Sequence, residues 1–372
     1  MGCGDLEYDS NDSEYVTYTP FETENLLLRN RIVKSATAEA MATDEGFVTE
    51  KLIEFYRRLV EGGAGTIITG FMFISEKGRA MRNMTGISSD EHLKGLKELV
   101  KEVKKTGKDK WGRIKFIAQL VHAGRQNYPF PDPVAPSAVL EATTNVIPRE
   151  LTKEEIHQII DDFAEAAIRA GKAGFDAVQL HAAHGYLLSQ FISPYTNRRK
   201  DEFGEERAKI LLDIMERIRE RSRIPVLIKM NACDFIPGGL EIDEAVRIAK
   251  LLSKAGYEAI EVSGGMWESR LYTKYNVVCQ NVEKSGEAYF RDYAKKIKEN
   301  VDIPVILVGG IRSLEVAEKL LDSYCDLVSM ARPLIRDPYL PSKWKEVKVS
   351  DCKSCNKCLK NISKGPLACY QN

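Results

Sequence analysis

Two imidazoles and a phenol fall within six residues at His181-Ala-Ala-His184-Gly-Tyr186. They follow the apolar run Ala177-Val-Gln-Leu180, so a strand would deliver all three to one end of a sheet. Such a set can hold one substrate oxygen with two hydrogen-bond donors while a third group gives up a proton. The competing reading is a helix start with two structural histidines. The chain has only five His, so a cluster this dense favours chemistry.

Other chemistry-bearing residues stand at the ends of apolar runs. Gln119 lies in Ala118-Gln-Leu-Val-His-Ala-Gly-Arg125, and Lys229 lies in Leu227-Ile-Lys-Met-Asn231. A Lys ending a buried strand must meet a negative or strongly accepting partner, either an internal ion pair or a bound group. Val308-Gly-Gly-Ile-Arg312-Ser313 and Ser329-Met-Ala-Arg332-Pro333 offer free backbone N–H groups and a cation, which suits a phosphate. A flavin would satisfy these positions together. Its phosphate would lie on the two late loops, its pyrimidine edge on Gln119, and the negative charge of its reduced ring beside Lys229.

Cys352, Cys355, Cys358 and Cys369 crowd the last 21 positions, while Cys3, Cys233, Cys279 and Cys325 are scattered. Four thiols at Cys-x2-Cys-x2-Cys-x10-Cys suit a [4Fe–4S] cluster or a four-cysteine zinc site. A tail with no metal is the bland alternative. The N-terminus, Met1-Gly-Cys-Gly-Asp-Leu6, has no export signal, so a reducing, cytoplasmic setting is expected and disulfides are not.

The elements that must position these groups are legible in the hydrophobic pattern. Strands are expected near Arg31–Ser35, Gly65–Thr69, Lys115–Val121, Asp176–His181, Val226–Met230, Ala259–Val262, Val305–Val308 and Leu327–Met330. Between them lie amphipathic helices near Leu52–Glu61, Glu91–Lys105, Thr152–Ala173, Ala208–Ser222, Ile242–Ala255, Gly286–Asn300 and Ser313–Leu321. Thr152-Lys-Glu-Glu155 opens one of them as a capping box, and Gly174 ends it. Eight strands each followed by a helix predict an α/β fold, a (β/α)8 TIM barrel with a short cysteine-rich C-terminal tail. A doubly wound sheet is the rival, but no Gly-x-Gly-x-x-Gly turn follows the first strand. The division expected is an N-terminal mobile arm over 1–18, a barrel over 19–340 and the tail over 341–372.

Lys+Arg and Asp+Glu both number 54, so no global basic field argues for nucleic acid. No window approaches the roughly 18 apolar residues of a membrane span. The expected partners are a small-molecule substrate and further copies of the chain in a homo-oligomer.

Several of these motifs together resemble the Old Yellow Enzyme family of FMN-dependent oxidoreductases, over roughly residues 17–340. They are Asn30-Arg-Ile-Val-Lys-Ser35, His122-Ala-Gly-Arg125, His181-Ala-Ala-His-Gly-Tyr186, Ser193-Pro-Tyr-Thr-Asn-Arg-Arg-Lys-Asp-Glu-Phe-Gly204, Gly309-Gly310 and Arg332-Pro-Leu-Ile-Arg-Asp337. The resemblance implies FMN at the barrel mouth, with NADH or NADPH as reductant. It implies FMN contacts at Ser35, Ala36, Thr37, Ala38, Gly70, Gln119 and Lys229, and a phosphate held by Gly309, Gly310, Ala331 and Arg332. His181 and His184 would bind the substrate's activating oxygen, and Tyr186 would donate the proton in reduction of an activated C=C bond.

Three positions depart from the family. Ala38 stands where members often carry Cys or Thr near flavin N5, Ala40 where several carry an aromatic residue, and Lys229 where many carry Arg. The tail is similar to the segment after the barrel in trimethylamine dehydrogenase and 2,4-dienoyl-CoA reductase, where it implies a [4Fe–4S] cluster on Cys352, Cys355, Cys358 and Cys369. Those relatives continue into nucleotide-binding domains. Here the sequence ends at Asn372, so a separate redox protein would exchange electrons with the cluster. Two other readings follow from the tail: an oxidative dehydrogenase or demethylase feeding a cluster, and an electron-transfer subunit.

Overall fold

The computed structural model describes residues 15–106, 114–127, 130–273 and 278–371. Eight parallel strands close into a barrel: β1 Ile32–Lys34, β2 Thr66–Phe73, β3 Lys115–Val121, β4 Ala177–Ala182, β5 Val226–Asn231, β6 Ile260–Ser263, β7 Val305–Val308 and β8 Leu327–Met330. Each pairs in parallel with its neighbours in chain order, and β8 pairs with β1. Outside lie α1 Glu50–Glu61, α2 Leu93–Thr106, α3 Lys153–Ala173, α4 Lys209–Arg221, α5 Ile242–Ala255, α6 Arg291–Lys298, α7 Leu314–Ser323 and, after β8, α8 Leu340–Val347. The expected (β/α)8 barrel is the observed fold.

Local chemistry sets the helix ends. Thr152 accepts from the Glu155 N–H and the Glu155 carboxylate accepts from the Thr152 N–H, which closes the capping box of α3. Gly174 ends that helix at φ 95°, where a Cβ would be strained. The helix expected over Gly286–Asn300 is shorter, because Gly286 at φ 77° and the turn at Phe290 delay its start to Arg291.

The barrel interior is layered with the two-residue period of a strand. Val33, Ile68, Ile117, Ala177, Leu227, Ala259, Ile306 and Leu327 form an apolar floor, closed from below by Phe21, Leu26 and Leu28 of an N-terminal hairpin. Two residues further along six of the strand paths stand Ser35, Gln119, Gln179, Lys229, Glu261 and Ser329, a buried polar layer. Two further again on β4, β5 and β6 stand His181, Asn231 and Ser263. Alternation thus carries the chemistry to the C-terminal ends of the strands, which is the functional face of such barrels.

The ends of the barrel differ from expectation. Residues 1–14 of the expected arm lie outside the described residues, but Val16–Tyr18 is docked. Thr17 is fully buried and its N–H donates to Glu318 on α7 at 2.8 Å. The expected boundary at residue 340 falls within packed structure. Trp344 on α8 is fully buried and donates to the Arg312 carbonyl at 3.2 Å, and Ser350 N–H donates to the same carbonyl at 2.9 Å. Among the described residues, no helix is long and apolar enough to cross a membrane.

Candidate active site

Above the polar layer opens a cavity of about 510 Å³. It is lined at its base by Gln119, Lys229 and Ser329, on one wall by His181, His184, Tyr186 and Phe71, and on the opposite wall by Gly309, Gly310, Arg312 and Arg332. Ser35, Ala36, Thr37, Ala38 and Ala331 also line it. The structure therefore brings together fourteen residues of the expected set; the exceptions are Gly70 and three of the four tail cysteines.

Gly70 is displaced by a register shift between β2 and β3 at Ile68 and Phe71. This bulge changes which residue faces inward. Phe71 enters the cavity, while the Gly70 N–H donates to the Glu39 carboxylate at 2.7 Å and to the Tyr56 hydroxyl at 2.9 Å. A Cβ at position 70 would meet Glu39 Oε2 at 2.1 Å, so only glycine fits there.

The polar layer is one connected network. Lys229 Nζ lies 3.5 Å from Glu261 Oε1 and donates to Ser35 Oγ at 2.9 Å. The Glu261 carboxylate accepts from Ser35 Oγ at 2.8 Å, Ser329 Oγ at 2.9 Å and Gln179 Nε2 at 2.9 Å. Burial pushes the Glu261 carboxyl up, but Lys229 and these donors outweigh it and hold it below the usual range. The internal ion pair considered for Lys229 is therefore present, and Lys229 also lines the cavity. Gln119 Nε2 donates to Gln179 Oε1 at 2.7 Å, which leaves Gln119 Oε1 buried without a partner. An orphaned acceptor at the cavity base must be met by a donor on whatever binds there.

Backbone geometry sets the two histidines and the tyrosine. His184 adopts φ 62° and Gly185 φ 82°, which turns the chain so that the His184 ring meets His181 edge-on at 5.2 Å. The His184 N–H donates to Asn231 Oδ1 at 3.1 Å, and its Nε2 lies 2.7 Å from Ser263 Oγ. His181 Nδ1 is buried without a partner. Tyr186 lies 4.8 Å from His181 and 5.4 Å from Phe71, ring centre to ring centre. Burial holds both imidazoles well below their ordinary pKa, and Lys229 adds to the effect. The neutral form of each ring is thereby favoured. Burial pushes the Tyr186 phenol up to about 12, against a hydrogen bond from the Trp267 side chain, so the phenol keeps its proton.

The cavity fits a flavin mononucleotide by these observations. Gln119 Oε1 suits an N–H on the pyrimidine edge, Lys229 suits negative charge beside it, and Gly309 to Arg312 with Arg332 suit a phosphate. At Gly310, φ is 77° and a Cβ would meet the Tyr289 ring at 2.7 Å, so glycine keeps the backbone open there. Arg332 is pre-set, donating to the Gln280 carbonyl and to Asn356 Oδ1, each at 2.8 Å.

The tail folds back over that same end. Leu367 N–H donates to the Glu39 carbonyl at 2.7 Å, and Cys358 with Leu359 lines the cavity. Cys352 lies near Cys369 and Cys355, and Cys358 lies near Cys279 and Cys352. Among the described residues, however, no three His, Cys, Asp or Glu side chains are drawn together as a metal-holding group. The four-cysteine site expected from the spacing is not gathered among the described residues.

Several residues that build the site carry no motif signal. Glu261 and Gln179 are visible only by stepping two residues along a strand from a known inward position. Ser263 and Trp267 belong to the segment after β6 that the sequence already offers as a pocket closure, and the bridge His184–Met266 sets that segment beside the loop after β4. The sequence offers Arg270 and Lys274 of the same loop as cations for a substrate carboxylate or thioester tail; Lys274 lies outside the described residues.

Residues 17–350 match the model of the NADH:flavin oxidoreductase / NADH oxidase family. The chain is 37% identical over 345 residues to an NADH oxidase of Thermoanaerobacter brockii, covering 90% of this chain and 51% of that protein. It is 34% identical over 329 residues to an NADPH dehydrogenase of Bacillus cytotoxicus, covering 87% of this chain and 90% of the relative. The fold superposes with a TM-score of 0.87 on a 2-naphthoyl-CoA reductase in complex with 2-naphthoyl-CoA, at 27% identity, covering 96% of this chain and 57% of that one. The chain thus spans about half the length of the NADH oxidase.

Proposed function

The chain belongs to the NADH:flavin oxidoreductase / NADH oxidase family, and we propose that it is an FMN-dependent enzyme that uses NADH or NADPH to reduce an activated C=C bond. The substrate class is an enone, enoate or enoyl thioester. A thioester is included because a structurally similar protein is a 2-naphthoyl-CoA reductase. The observation that carries the reading is the convergence of two neutral imidazoles and a protonated phenol on one wall of the cavity.

Ser35 to Ala38, Gln119, Lys229, the Gly309–Gly310 turn, Ala331 and Arg332 would hold FMN, which when bound would supply the hydride for the carbon β to the activating carbonyl. His181, through its unpartnered Nδ1, and His184, whose Nε2 is engaged by Ser263, hold the activating oxygen. As negative charge develops on that oxygen, a placed donor is typically worth about 3 kcal/mol of barrier. A neutral imidazole suits this role, since its one N–H can be aimed at that oxygen. Tyr186 delivers its phenolic proton to the α carbon. The Trp267 hydrogen bond fixes the hydroxyl, and Phe71 and Met81 keep that wall apolar.

Anaerobic stopped-flow on the Tyr186→Phe protein tests this assignment. Flavin reduction by NAD(P)H should stay within about twofold of wild type, while oxidation by an enone slows by roughly 10²–10⁴, the usual worth of a general acid. An unchanged enone step would remove Tyr186 from the mechanism.

An iron–sulfur cluster on Cys352, Cys355, Cys358 and Cys369 is a second and independent proposal. It rests on the soft donor set and its spacing, with Arg332 and Arg336 beside the thiols. Iron and acid-labile sulfide near four per chain in anaerobically purified protein would support it. Flavin without iron would end it.

A further inference from the structure

The cavity is electrostatically one-sided. Lys229, Arg270, Arg312, Arg332 and Lys360 line it, and no Asp or Glu does so among the described residues, in a chain with 54 acids and 54 bases. Most of these cations have duties already described. Lys229 faces Glu261, Arg312 lies 3.4 Å from Glu287, and Arg332 is held by Gln280 and Asn356. Lys360 stands on the tail, at the phosphate end. Arg270 is different. It has no hydrogen-bond or ion-pair partner among the described residues, and it belongs to the opposite, substrate wall.

Its position is set by a rigid turn. Trp267–Leu271 is a 3₁₀ helix, in which side chains three apart eclipse each other. Trp267 and Arg270 therefore share one face, and both line the cavity. Glu268 and Ser269 between them are fully buried and anchor the turn. The Glu268 carboxylate pairs with the fully buried Arg125 and accepts from Ala142 N–H at 3.0 Å. Ser269 Oγ donates to the Asp234 carbonyl at 2.6 Å. Since Trp267 hydrogen-bonds Tyr186, Arg270 lies one turn beyond the proton donor, at the mouth.

We propose that Arg270 binds an anionic group of the substrate, remote from the C=C bond, so that the substrates are α,β-unsaturated carbonyl compounds carrying a carboxylate or phosphate. This rests on the C=C-reductase reading above and narrows it. A guanidinium fork pairs with either anion in the same way.

The test uses the FMN-loaded enzyme and three probes: one enone skeleton bearing a short carboxylate arm, its methyl ester, and the same arm ending in phosphate. Binding is read from the perturbation of the flavin spectrum, and turnover from kcat/KM. Wild type should favour the acid over the ester by about tenfold in both readouts. Arg270→Gln should bring that ratio close to one, and Arg270→Lys should keep part of it. A phosphate preferred over the carboxylate would assign the phosphate source, and the reverse the carboxylate source. Equal handling of acid and ester by wild type, or a ratio unmoved by Arg270→Gln, overturns the proposal. If the probes bind but none is reduced, the C=C-reductase reading fails, and the binding ratio alone decides the role of Arg270.

Discussion

Lys229 and Glu261 are nearly inaccessible to solvent, and each depends on the other. A buried carboxylate with three hydrogen-bond donors and one cation is tolerable, whereas the same carboxylate without its cation is not. Lys229→Met should therefore destabilise the protein by roughly 3–5 kcal/mol, because it strands Glu261 in the barrel. Adding Glu261→Gln should restore much of that loss, since an amide can still accept from Ser35 and Ser329. Equilibrium urea unfolding of the two variants decides the matter, and equal stability of single and double variants would show that the pair is not coupled. The expectation that Lys229 needed a negative partner came from its type and place on a strand. The identity of that partner did not, because Glu261 sits on the adjacent strand and is paired with Lys229 only by sheet register.

At the scale of elements, the barrel separates stability from chemistry. The hairpin carrying Leu26 and Leu28 closes the floor, two layers below the cavity. Leu28→Ala should cost roughly 2–5 kcal/mol by leaving a void under the barrel, with kcat/KM for enone reduction unchanged; a shift in kcat/KM would mean that floor and mouth are coupled. All eight strands were legible because buried parallel strands read as short apolar, β-branched runs. The His181–Tyr186 cluster was legible because a strand end hands it to the loop face. What escaped the sequence depends on contacts between distant segments. The bulge between Ile68 and Phe71 replaces Gly70 by Phe71, α8 buries Trp344 beyond the expected barrel end, and the Arg125–Glu268 pair joins the loops after β3 and β6. None of these leaves a periodic trace. The cysteine spacing shows the converse, a strong local pattern for which the fold shows no gathered metal site.

For the molecule as a whole, charge balance conceals a strong dependence on protonation. His122 and His181 are buried and His184 is half-buried, and desolvation pushes the pKa of all three down, His122 to about 4. His122 has a further constraint. Its Nδ1 accepts the Gly124 N–H at 3.1 Å, and its ring packs where a Cβ on Gly78 would otherwise sit. A proton on Nδ1 would break that bond inside the barrel wall. In the unfolded chain each imidazole takes up a proton near pH 6.5. Below that pH these imidazoles bind more protons in the unfolded state than in the folded one, so their contribution to stability falls as pH falls. The loss begins near pH 6.5 and runs down toward the folded-state values, ahead of the acid range in which paired carboxylates titrate. Between pH 6.5 and 5 His122 should contribute about 1.6 kcal/mol to the loss, and His181 and His184 add to it in the same direction. Thermal unfolding followed across that interval should show Tm dropping steeply. His122→Gln, which keeps a side-chain acceptor for Gly124 but cannot be protonated, should make that slope shallower. A Tm that stays level from pH 6.5 to 5 would mean that the folded barrel accommodates charged histidines, and with it would go the argument that His181 and His184 meet the substrate as neutral donors.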